Sequence, residues 1–452
     1  MSLTPPPDLG LMRALPEVWR AALSYQHRSP RHLAYVAGFQ AVWLAAHTAT
    51  RAGQALDRRG QLGLPEAETP NCAPSPFVGD TVWARGPGAL FGQTASTMNY
   101  AVGPPTCAPV GTPPGPLRAP VFIFANARSG TTFLQRLLNC DSERFVSLRL
   151  GESILPSRGV SRTILGAPGR SQMPHGEVAG AEGLGRRAAL KAWLASRERA
   201  LNQRLFGGWS DLHPMGLRDV EEDEALFVRL LATPTRYLLC PNPDFLPAWR
   251  SLDEQPRAYQ DAVMAAYCAS LRAVLPVAES RTLLVKNVLT ASRFQALRRA
   301  FPDARFIYVA RDPRASIPSF IRLFWRAWRA HSPRISLAGP EARGLADTGA
   351  FYYRKALADC ATLPEPQLKL LTFNDVVADP LACVASIYRH FGWSLGASAQ
   401  TRMRALAAQS RARRRPRPVT LQDVGLDERW LRRELGDVCE RFAFLPEAGP
   451  GS

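Results

Sequence analysis

Lysine is scarce in this chain, although its charge is strongly basic. Only Lys191, Lys286, Lys355 and Lys369 are lysine among 56 basic residues, and the formal net charge is +18. This skew toward arginine indicates a coding bias rather than selection for nucleic acid. RNA-binding signatures, zinc-finger spacing and alternating aromatic and basic residues are missing too. We therefore do not expect nucleic acid as a partner. The charge would instead steer a small anionic ligand inward.

Paired cysteines are also missing. The eight cysteines form no C-x-x-C pair and no short secreted framework. Several of them lie in apolar helical surroundings, where a free thiol behaves as a small core residue. Three prolines at positions 5–7, followed by Asp8, interrupt any apolar stretch at the start, so we expect no signal peptide. These features predict a reducing, cytoplasmic location.

A long apolar run is the third feature that the chain lacks. Leu33 to Ala46 is apolar except for one glutamine, but it falls short of the ~20 residues that a membrane span needs. Val36, Phe39, Trp43 and Leu44 share one helical face within it. The pattern favours a packed or interfacial amphipathic helix over a transmembrane helix. Peripheral membrane contact through the N-terminal helices is left open.

What is present is a strand, a tight loop and a helix start that predict an anion site. Val121 to Ala125 suits a buried strand, residues 126–130 are small and polar, and Thr131 begins a helical spacing. Such a unit aims backbone N–H groups and the helix dipole at one spot. A Walker loop would have lysine after Gly130, but here the cation is Arg128. We predict phosphate binding without triphosphate hydrolysis; the alternative is an ordinary turn and helix cap.

A second strand-to-helix unit points to another phosphate. Arg305 to Ala310 suits a buried strand, which Pro313 brings to an end. Arg311 and Ser319 lie eight residues apart, across the edge where a doubly wound sheet binds ligands. A guanidinium and a hydroxyl suit a phosphate better than a magnesium ion. Asp312 supports the alternative of a P-loop small-molecule kinase or NTPase, because it imitates a magnesium-binding aspartate.

Taken together, these segments resemble the bacterial-type branch of the sulfotransferases that use 3′-phosphoadenosine 5′-phosphosulfate (PAPS). In that P-loop family the first loop binds the 5′-phosphosulfate. An arginine, followed eight positions later by a serine, binds the 3′-phosphate. Further matches follow in the family's order, within roughly residues 118–444: Leu212 to Gly216, Glu221 to Glu224, Arg281 to Lys286, Gln367 to Pro380 and Val419 to Asp427.

Three departures from the family's pattern leave the phosphate-binding residues in place. Asn374 stands where glutamate is usual, and Asn287 stands where serine or threonine is commoner. The run Arg411 to Arg417 is unusually rich in arginine for the family. This run also supports a non-enzyme alternative, a basic protein that binds nucleic acid or a membrane surface.

The element pattern and the resemblance together predict an α/β fold. We expect a three-layer, P-loop-like parallel sheet flanked by helices, with a helical insertion and an N-terminal helical extension. Residues 1–117 would form that extension and a Pro/Gly-rich linker, and 118–452 the sulfotransferase domain, in which 151–280 is a helical acceptor lid. The predicted strands cover 121–125, 282–287, 305–310 and 368–373, and predicted helices cover 290–300 and 380–391.

The resemblance implies a transferase that moves the sulfuryl group of PAPS to a hydroxyl or amine without a metal ion. Its acceptor would be a small molecule, a glycan or a lipid. The residues implied in cofactor binding are Arg128, Ser129, Gly130, Thr131, Thr132, Phe133, Arg311 and Ser319. Arg128 would also stabilise charge during transfer. Lys286 would bridge the transferring sulfuryl group and the leaving oxygen, as the family's lysine does; the alternative is a surface cation.

The acceptor hydroxyl needs a base, and two candidates stay open. Glu152 lies 24 residues beyond Arg128, near the offset of the catalytic glutamate in many family members. His213 has a better-matched pKa and lies in a Pro-Gly turn. The alternatives are a helix-capping glutamate and a structural histidine. We expect Glu221 to Glu224 to cap or decorate a helix N-terminus.

Overall fold

Five short apolar segments pair side by side in a single parallel sheet. The structure is a computed structural model that describes residues 9–25, 29–61, 117–157, 216–275, 280–411 and 418–444. The strands are β1 (Val121–Ala125), β2 (Phe145–Val146), β3 (Thr282–Lys286), β4 (Arg305–Ala310) and β5 (Leu368–Thr372). Their spatial order is β2-β3-β1-β4-β5, and every pair is parallel. Parallel strands of this kind need helical crossovers, which cover both faces of the sheet.

The helices begin with an N-terminal pair, α1 (Leu9–Ser24) and α2 (Pro30–Gln61). The remaining described helices are α3 (Thr131–Leu138), α4 (Leu150–Ile154), α5 (Glu224–Arg229), α6 (Arg236–Leu239), α7 (Leu246–Trp249), α8 (Arg257–Val274), α9 (Phe294–Ala300), α10 (Pro313–Trp328), α11 (Pro340–Cys360), α12 (Phe373–Ala378), α13 (Pro380–His390), α14 (Ala397–Arg411) and α15 (Glu428–Arg441). Short 3-10 turns lie at Pro243–Phe245, Thr290–Arg293, Glu365–Gln367 and Gln422–Val424.

The side chains of β1 divide between two apolar cores. Phe122 and Phe124 belong to one core, and Val121 and Ile123 belong to the other. Because successive side chains of a strand point to opposite faces, the two cores lie on opposite sides of the sheet. All five residues of β1 are buried, which explains their uninterrupted apolar run. The result is a layer of helices, the sheet and a second layer of helices.

The strand register brings three important segments to one edge of the sheet. β1 pairs with β3, where Ile123 lies opposite Lys286, and with β4, where Ala125 lies opposite Val309. The loop after β1, Lys286 at the end of β3 and Arg311 after β4 therefore meet at the carboxyl edge. Ligands bind at that edge in open α/β sheets.

The predicted α/β fold is confirmed. The strands 121–125 and 305–310 match, while 282–287 and 368–373 each extend one residue beyond the observed strand. The predicted helix 290–300 begins as a 3-10 turn and continues as α9. Within the predicted lid, the described residues form helices from Glu224 onward and one isolated bridge at Val220, and residues 158–215 and 276–279 lie outside the described part.

The N-terminal helices pack directly on the domain that contains the sheet. The break at Ser29 is as predicted, since α2 begins at Pro30. Tyr25 Oη donates a buried hydrogen bond of 2.7 Å to Glu341 Oε1 on α11. Neither helix, nor any other in the described ranges, is long and apolar enough to cross a membrane.

Two stacked histidines join α2 to the loop after α10. The rings of His32 and His331 are 5.0 Å apart, and both side chains are buried. His32 Nε2 donates to the Leu239 carbonyl at 2.9 Å, and His331 Nε2 donates to the Leu238 carbonyl at 3.0 Å. Burial lowers the pKa of both imidazoles, that of His331 to about 4. Both rings are therefore neutral at pH 7.

We expect His331 to make the fold sensitive to acid. Its pKa is about 4 in the fold against an ordinary value of 6.5, so the unfolded chain binds the proton first as pH falls. The free energy of unfolding should decrease between pH 6.5 and pH 4, by up to about 3 kcal/mol. Urea unfolding of the natural protein and of His331→Gln at pH 7, 5.5 and 4.5 measures this loss. The natural protein should lose stability more steeply. Parallel pH profiles would contradict the expectation, because all other titrating groups are common to both proteins.

Candidate active site

The loop between β1 and α3 forms a concave row of backbone donors. Arg128 and Gly130 have left-handed backbone angles, with φ of 68° and 77°. Ser129 lies between them, and its Oγ donates to the Asn126 carbonyl at 2.7 Å, which closes the turn. The amide groups at 130–132 donate to no carbonyl in the part of the chain that the structure describes. Such a nest at a helix start binds anions.

Next to the loop, two arginines and a serine form a second polar group. Arg128 Nε donates to Ser319 Oγ at 3.2 Å, and the Arg311 guanidinium donates to the Arg128 carbonyl. Arg311 also stacks over the Phe373 ring at 4.1 Å. Burial, and then the nearby charge of Arg322, lower the pKa of Arg128. The structure thus brings Arg311 and Ser319, the pair predicted around the second phosphate, next to Arg128 of the first loop, and an anion there would offset the clustered charge.

Lys286 is a buried cation rather than a surface residue. Its side chain is 1% exposed. Its Nζ donates to Thr132 Oγ1 at 3.0 Å and to Glu222 Oε1 at 2.7 Å, and it lies 3.8 Å from Glu221 Oε2. Burial of an ammonium is tolerated only with such partners. We call residues 126–132 the phosphate loop and residues 221–224 the acidic segment. The lysine connects the phosphate loop to Glu222 in the acidic segment, 64 positions earlier in the chain.

That acidic segment is held in place by backbone pairing. Residues 217–221 run beside residues 148–151, with Gly151 N donating to the Leu217 carbonyl at 2.8 Å. An antiparallel bridge joins Arg149 and Val220 in the same stretch. Because this pairing fixes the chain just before Glu222, the carboxylate is directed at Lys286.

Asn287 ties two more carboxylates to the end of β3. Its amide nitrogen donates to Asp223 Oδ1 at 2.6 Å and to Glu224 Oε2 at 3.0 Å. Tyr267 Oη donates to Asp223 Oδ2 at 2.6 Å. Burial raises the pKa of Asp223 to about 6, although Arg293 and these hydrogen bonds oppose the shift. An amide supplies two protons where a serine or threonine would supply one, which explains the departure at this position.

A cavity of about 480 Å³ opens beside these groups. One wall is the phosphate loop with Arg128 and the first turn of α3. Much of the remaining lining is apolar and includes Leu150, Ala225, Leu238, Val288, Leu289, Phe320, Leu323, Phe324 and Leu406. We call these residues the apolar wall. Thr132 and Glu222, the two closest partners of Lys286, both line the cavity. The cavity therefore combines anion-binding groups with apolar side chains, next to the Lys286–Glu222 pair.

Glu152 acts as a helix cap beside this cavity. Both of its carboxylate oxygens bond Arg149: Oε2 accepts from the backbone N–H at 2.8 Å, and Oε1 from the guanidinium at 2.7 Å. It caps α4, whose Leu150 lines the cavity, while Glu152 is not among the described lining residues. This geometry favours the helix-capping alternative, and the role of Glu152 as the base stays a prediction. His213 lies outside the described residues, as do residues 412–417 of the arginine-rich run.

Glu222 is not singled out by its local sequence, although the structure pairs it with Lys286. It was expected to decorate a helix start, and only its neighbours fit that expectation, since α5 begins at Glu224 after Asp223. The available signal was an acidic run together with one rare lysine at a strand end. Pairing the two required knowledge of the fold, because Glu222 and Lys286 are 64 positions apart.

Asp312 serves as a helix cap. It accepts from the Arg314 backbone N–H at 2.9 Å and pairs with the Arg314 guanidinium at 2.7 Å. Its carboxylate therefore stabilises the start of α10. The kinase alternative rested on this residue as a magnesium ligand.

Comparison with known proteins decides between these alternatives. The sulfotransferase family model matches residues 120–396. The chain belongs to the sulfotransferase family. The match includes the phosphate loop, Lys286, Glu222 and the Arg311–Ser319 pair. The predicted resemblance is confirmed, and sulfuryl transfer is favoured over the kinase or NTPase alternative.

Mycobacterial sulfotransferases are among the similar proteins. The omega-hydroxy-beta-dihydromenaquinone-9 sulfotransferase Stf3 of Mycobacterium bovis and of Mycobacterium tuberculosis is 28% identical over 171 residues, 36% of this chain. The match spans 42% of the length of these curated relatives. The structure of STF1 from M. tuberculosis aligns with a TM-score of 0.52 at 24% identity, covering 74% of this chain and 78% of the other. STF9 from Mycobacterium avium aligns with a TM-score of 0.55 at 18% identity, covering 73% and 78%. These structures share the fold of this sulfotransferase.

We expect Gly130 to be required by the loop of this sulfotransferase. A Cβ at this position would lie 3.1 Å from the Phe373 ring, on a left-handed backbone with φ of 77°. Gly130→Ala should cost about 1–2 kcal/mol in backbone strain, plus the displacement of Phe373 from beneath Arg311. Gly392→Ala is the matched control, since Gly392 has φ of 68° and nothing within 4 Å of its added Cβ. Denaturant unfolding should show the larger loss for Gly130→Ala. Equal losses would mean that the contact with Phe373 is unimportant.

Proposed function

We propose that this sulfotransferase transfers the sulfuryl group of PAPS to the hydroxyl of an acceptor with an apolar body. The observation that carries the proposal is the ion pair between the buried Lys286 and the half-buried Glu222, 2.7 Å apart, since Glu222 lines a cavity that also includes the phosphate loop and apolar side chains. A cation on the donor side and a carboxylate on the acceptor side are what in-line transfer between two oxygens needs.

The donor set fits a nucleotide with anions at two positions. The amide groups at 130–132, with Thr132 and Lys286, suit a 5′-phosphosulfate, and these groups lie at the start of α3. Arg128, Arg311 and Ser319 suit a 3′-phosphate, because guanidinium groups bind phosphate oxygens in a planar fork. When bound, PAPS supplies the sulfuryl group that passes to the acceptor oxygen.

Lys286 would stabilise the negative charge that grows on the leaving phosphate oxygen. Its ammonium is already desolvated, so its field on a nearby oxygen is stronger than in water. The hydroxyl of Thr132 holds the ammonium at 3.0 Å and fixes its direction. As the ammonium turns toward the donor, its ion pair with Glu222 weakens.

Glu222 would then take the proton of the acceptor hydroxyl. A carboxylate becomes more basic when a neighbouring cation is withdrawn. Of the other lining carboxylates, Glu224 pairs with Arg293 and accepts from Thr235 at 2.6 Å, and Glu221 is more deeply buried than Glu222, with side-chain exposures of 2% and 22%. Glu222 has its close ion pair with Lys286 and is the carboxylate best placed to act as a base.

The apolar lining of the cavity indicates the kind of acceptor. Leu238, Leu323 and Phe324 line a surface that would bind an apolar body by burying it from water. The curated Stf3 relatives are named for a hydroxylated dihydromenaquinone, which combines a hydroxyl with an apolar body. An alcohol on an apolar body therefore fits the cavity better than a glycan.

Binding of the donor nucleotide tests the first half of the proposal. Adenosine 3′,5′-bisphosphate should raise the thermal midpoint without magnesium, because a ligand stabilises the fold that binds it. Arg311→Ala should weaken its binding by about 1.5–3 kcal/mol, as for a hydrogen bond to a charged group. Arg329→Ala is the control, since Arg329 follows the far end of α10, about 24 Å along the helix axis. Stabilisation by ATP with magnesium alone would argue for a kinase.

Turnover with radiolabelled PAPS and a series of primary alcohols tests the second half. Glu222→Gln should keep nucleotide affinity and lose turnover by a factor on the order of 10²–10⁴, as for a lost acid–base group. Glu152→Gln is the matched variant and should keep turnover near that of the natural protein while lowering stability. The reverse result would return the base to Glu152. If neither substitution lowers turnover, the base lies elsewhere.

A further inference from the structure

One turn of helix forms part of the apolar wall. Helix α6 spans only Arg236–Leu239, and Thr235 and Leu238 from this segment line the cavity. A single turn has little stability of its own, because helix formation needs several turns to offset its nucleation cost. The position of Leu238 must therefore be set by contacts from outside the helix.

Three consecutive carbonyls of this turn are held by side chains from elsewhere. Trp328 Nε1 donates to the Tyr237 carbonyl at 2.9 Å. The next two carbonyls accept from the stacked histidines: Leu238 from His331 at 3.0 Å and Leu239 from His32 at 2.9 Å. Carbonyls at the end of a helix have no partner within it, so these ring donors fix the turn. We call His32 and His331 the histidine clamp.

The N-terminal helix α1 holds the same segment at both ends. Glu17 pairs with Arg236 at 3.1 Å. Asn242 donates from its amide to the Ala21 carbonyl at 3.3 Å and to Ser24 Oγ at 3.1 Å. The stretch 236–242 is thus attached to α1 before and after the turn, and to α2 through His32.

We propose that the N-terminal helices are part of the acceptor site, and that the histidine clamp positions the wall around Leu238. His32 and His331 act as positioning residues, since they hold the backbone that carries the wall and are not among the described residues that line the cavity. The inference rests on the proposed function for the identity of the wall as an acceptor surface.

The clamp should affect the acceptor and leave the donor nucleotide alone. The phosphate loop is fixed through Ser129 and Asn126, and Arg311 through Tyr353, whose Oη donates to the Arg311 carbonyl at 2.6 Å. None of these contacts includes α1, α2 or α6. A loosened wall should therefore weaken acceptor binding without a matching loss at the donor end.

The experiment compares His32→Leu with His32→Gln in the full chain. Leucine fills a similar space without a donor, whereas glutamine can still donate to the Leu239 carbonyl. The affinity for 1-decanol, measured by calorimetry without any donor nucleotide, should fall about fivefold or more in His32→Leu, as for a lost buried hydrogen bond. The KM for 1-decanol should rise by a similar factor with kcat little changed. His32→Gln should stay within about twofold of the natural protein.

Two further variants complete the experiment, one as a control and one as an independent change in the same contacts. Thr48→Ala removes an exposed hydroxyl of α2 that bonds only the Leu44 carbonyl and should change nothing. Glu17→Gln weakens the Arg236 pair at the surface, so it should move decanol binding in the same direction by a smaller factor, even if His32→Leu fails to fold. Unchanged decanol binding in the folded variants would overturn the proposal, and so would an equal loss of adenosine 3′,5′-bisphosphate binding. If decanol binding depends on His32 as expected but the natural protein transfers no sulfuryl group from PAPS, the clamp stands and the proposed function fails.

Discussion

The arrangement of the site depends on the burial of one ammonium group. Lys286 is 1% exposed at the end of β3, and a cation there is tolerated only if acceptors surround it. Thr132 and Glu222 supply those acceptors, one from the phosphate loop and one from the acidic segment. The need to satisfy the ammonium thus joins two distant parts of the chain, to which the proposed function assigns opposite halves of the chemistry. Asn287, the next residue, extends the same network to Asp223.

The parts of this design that are local in sequence could be predicted from the sequence. The phosphate loop has its strand, turn and helix within about twenty residues, so composition and spacing indicate it directly. Lys286 could be singled out because lysine is rare and the residue ends a strand. Glu222 could not, since its partner lies 64 positions away and its own surroundings look like an ordinary helix start. Glu152 is the opposite case: its offset along the chain predicts a base, whereas in the structure both of its oxygens bond Arg149. The contacts of His32 with His331 and with the Leu239 carbonyl correspond to no local sequence pattern, because the three residues are far apart in the chain.

The excess of arginine also has a structural side. Several guanidinium groups lie over aromatic rings, among them the buried Arg293 over Phe227 at 3.7 Å and the partly exposed Arg250 over Phe351 at 4.1 Å. A planar, weakly hydrated cation can stack in this way, whereas an ammonium cannot match that geometry. These arginine side chains therefore contribute to packing, and their charge is less available to attract ligands. The net charge alone overstates how strongly the surface would attract a polyanion.

Helix α10 joins several parts of the site. Ser319 in its first half accepts from Arg128, Phe320, Leu323 and Phe324 line the cavity, and Trp328 at its end donates to the Tyr237 carbonyl. A helix rises 1.5 Å and turns about 100° per residue, so one inserted residue would rotate everything beyond it out of register. Under the proposed function, α10 would therefore set the distance between the nucleotide and the apolar wall. Acceptors of another size would have to be accommodated by exchanging side chains along α10, because its length cannot change without separating the two ends of the reaction.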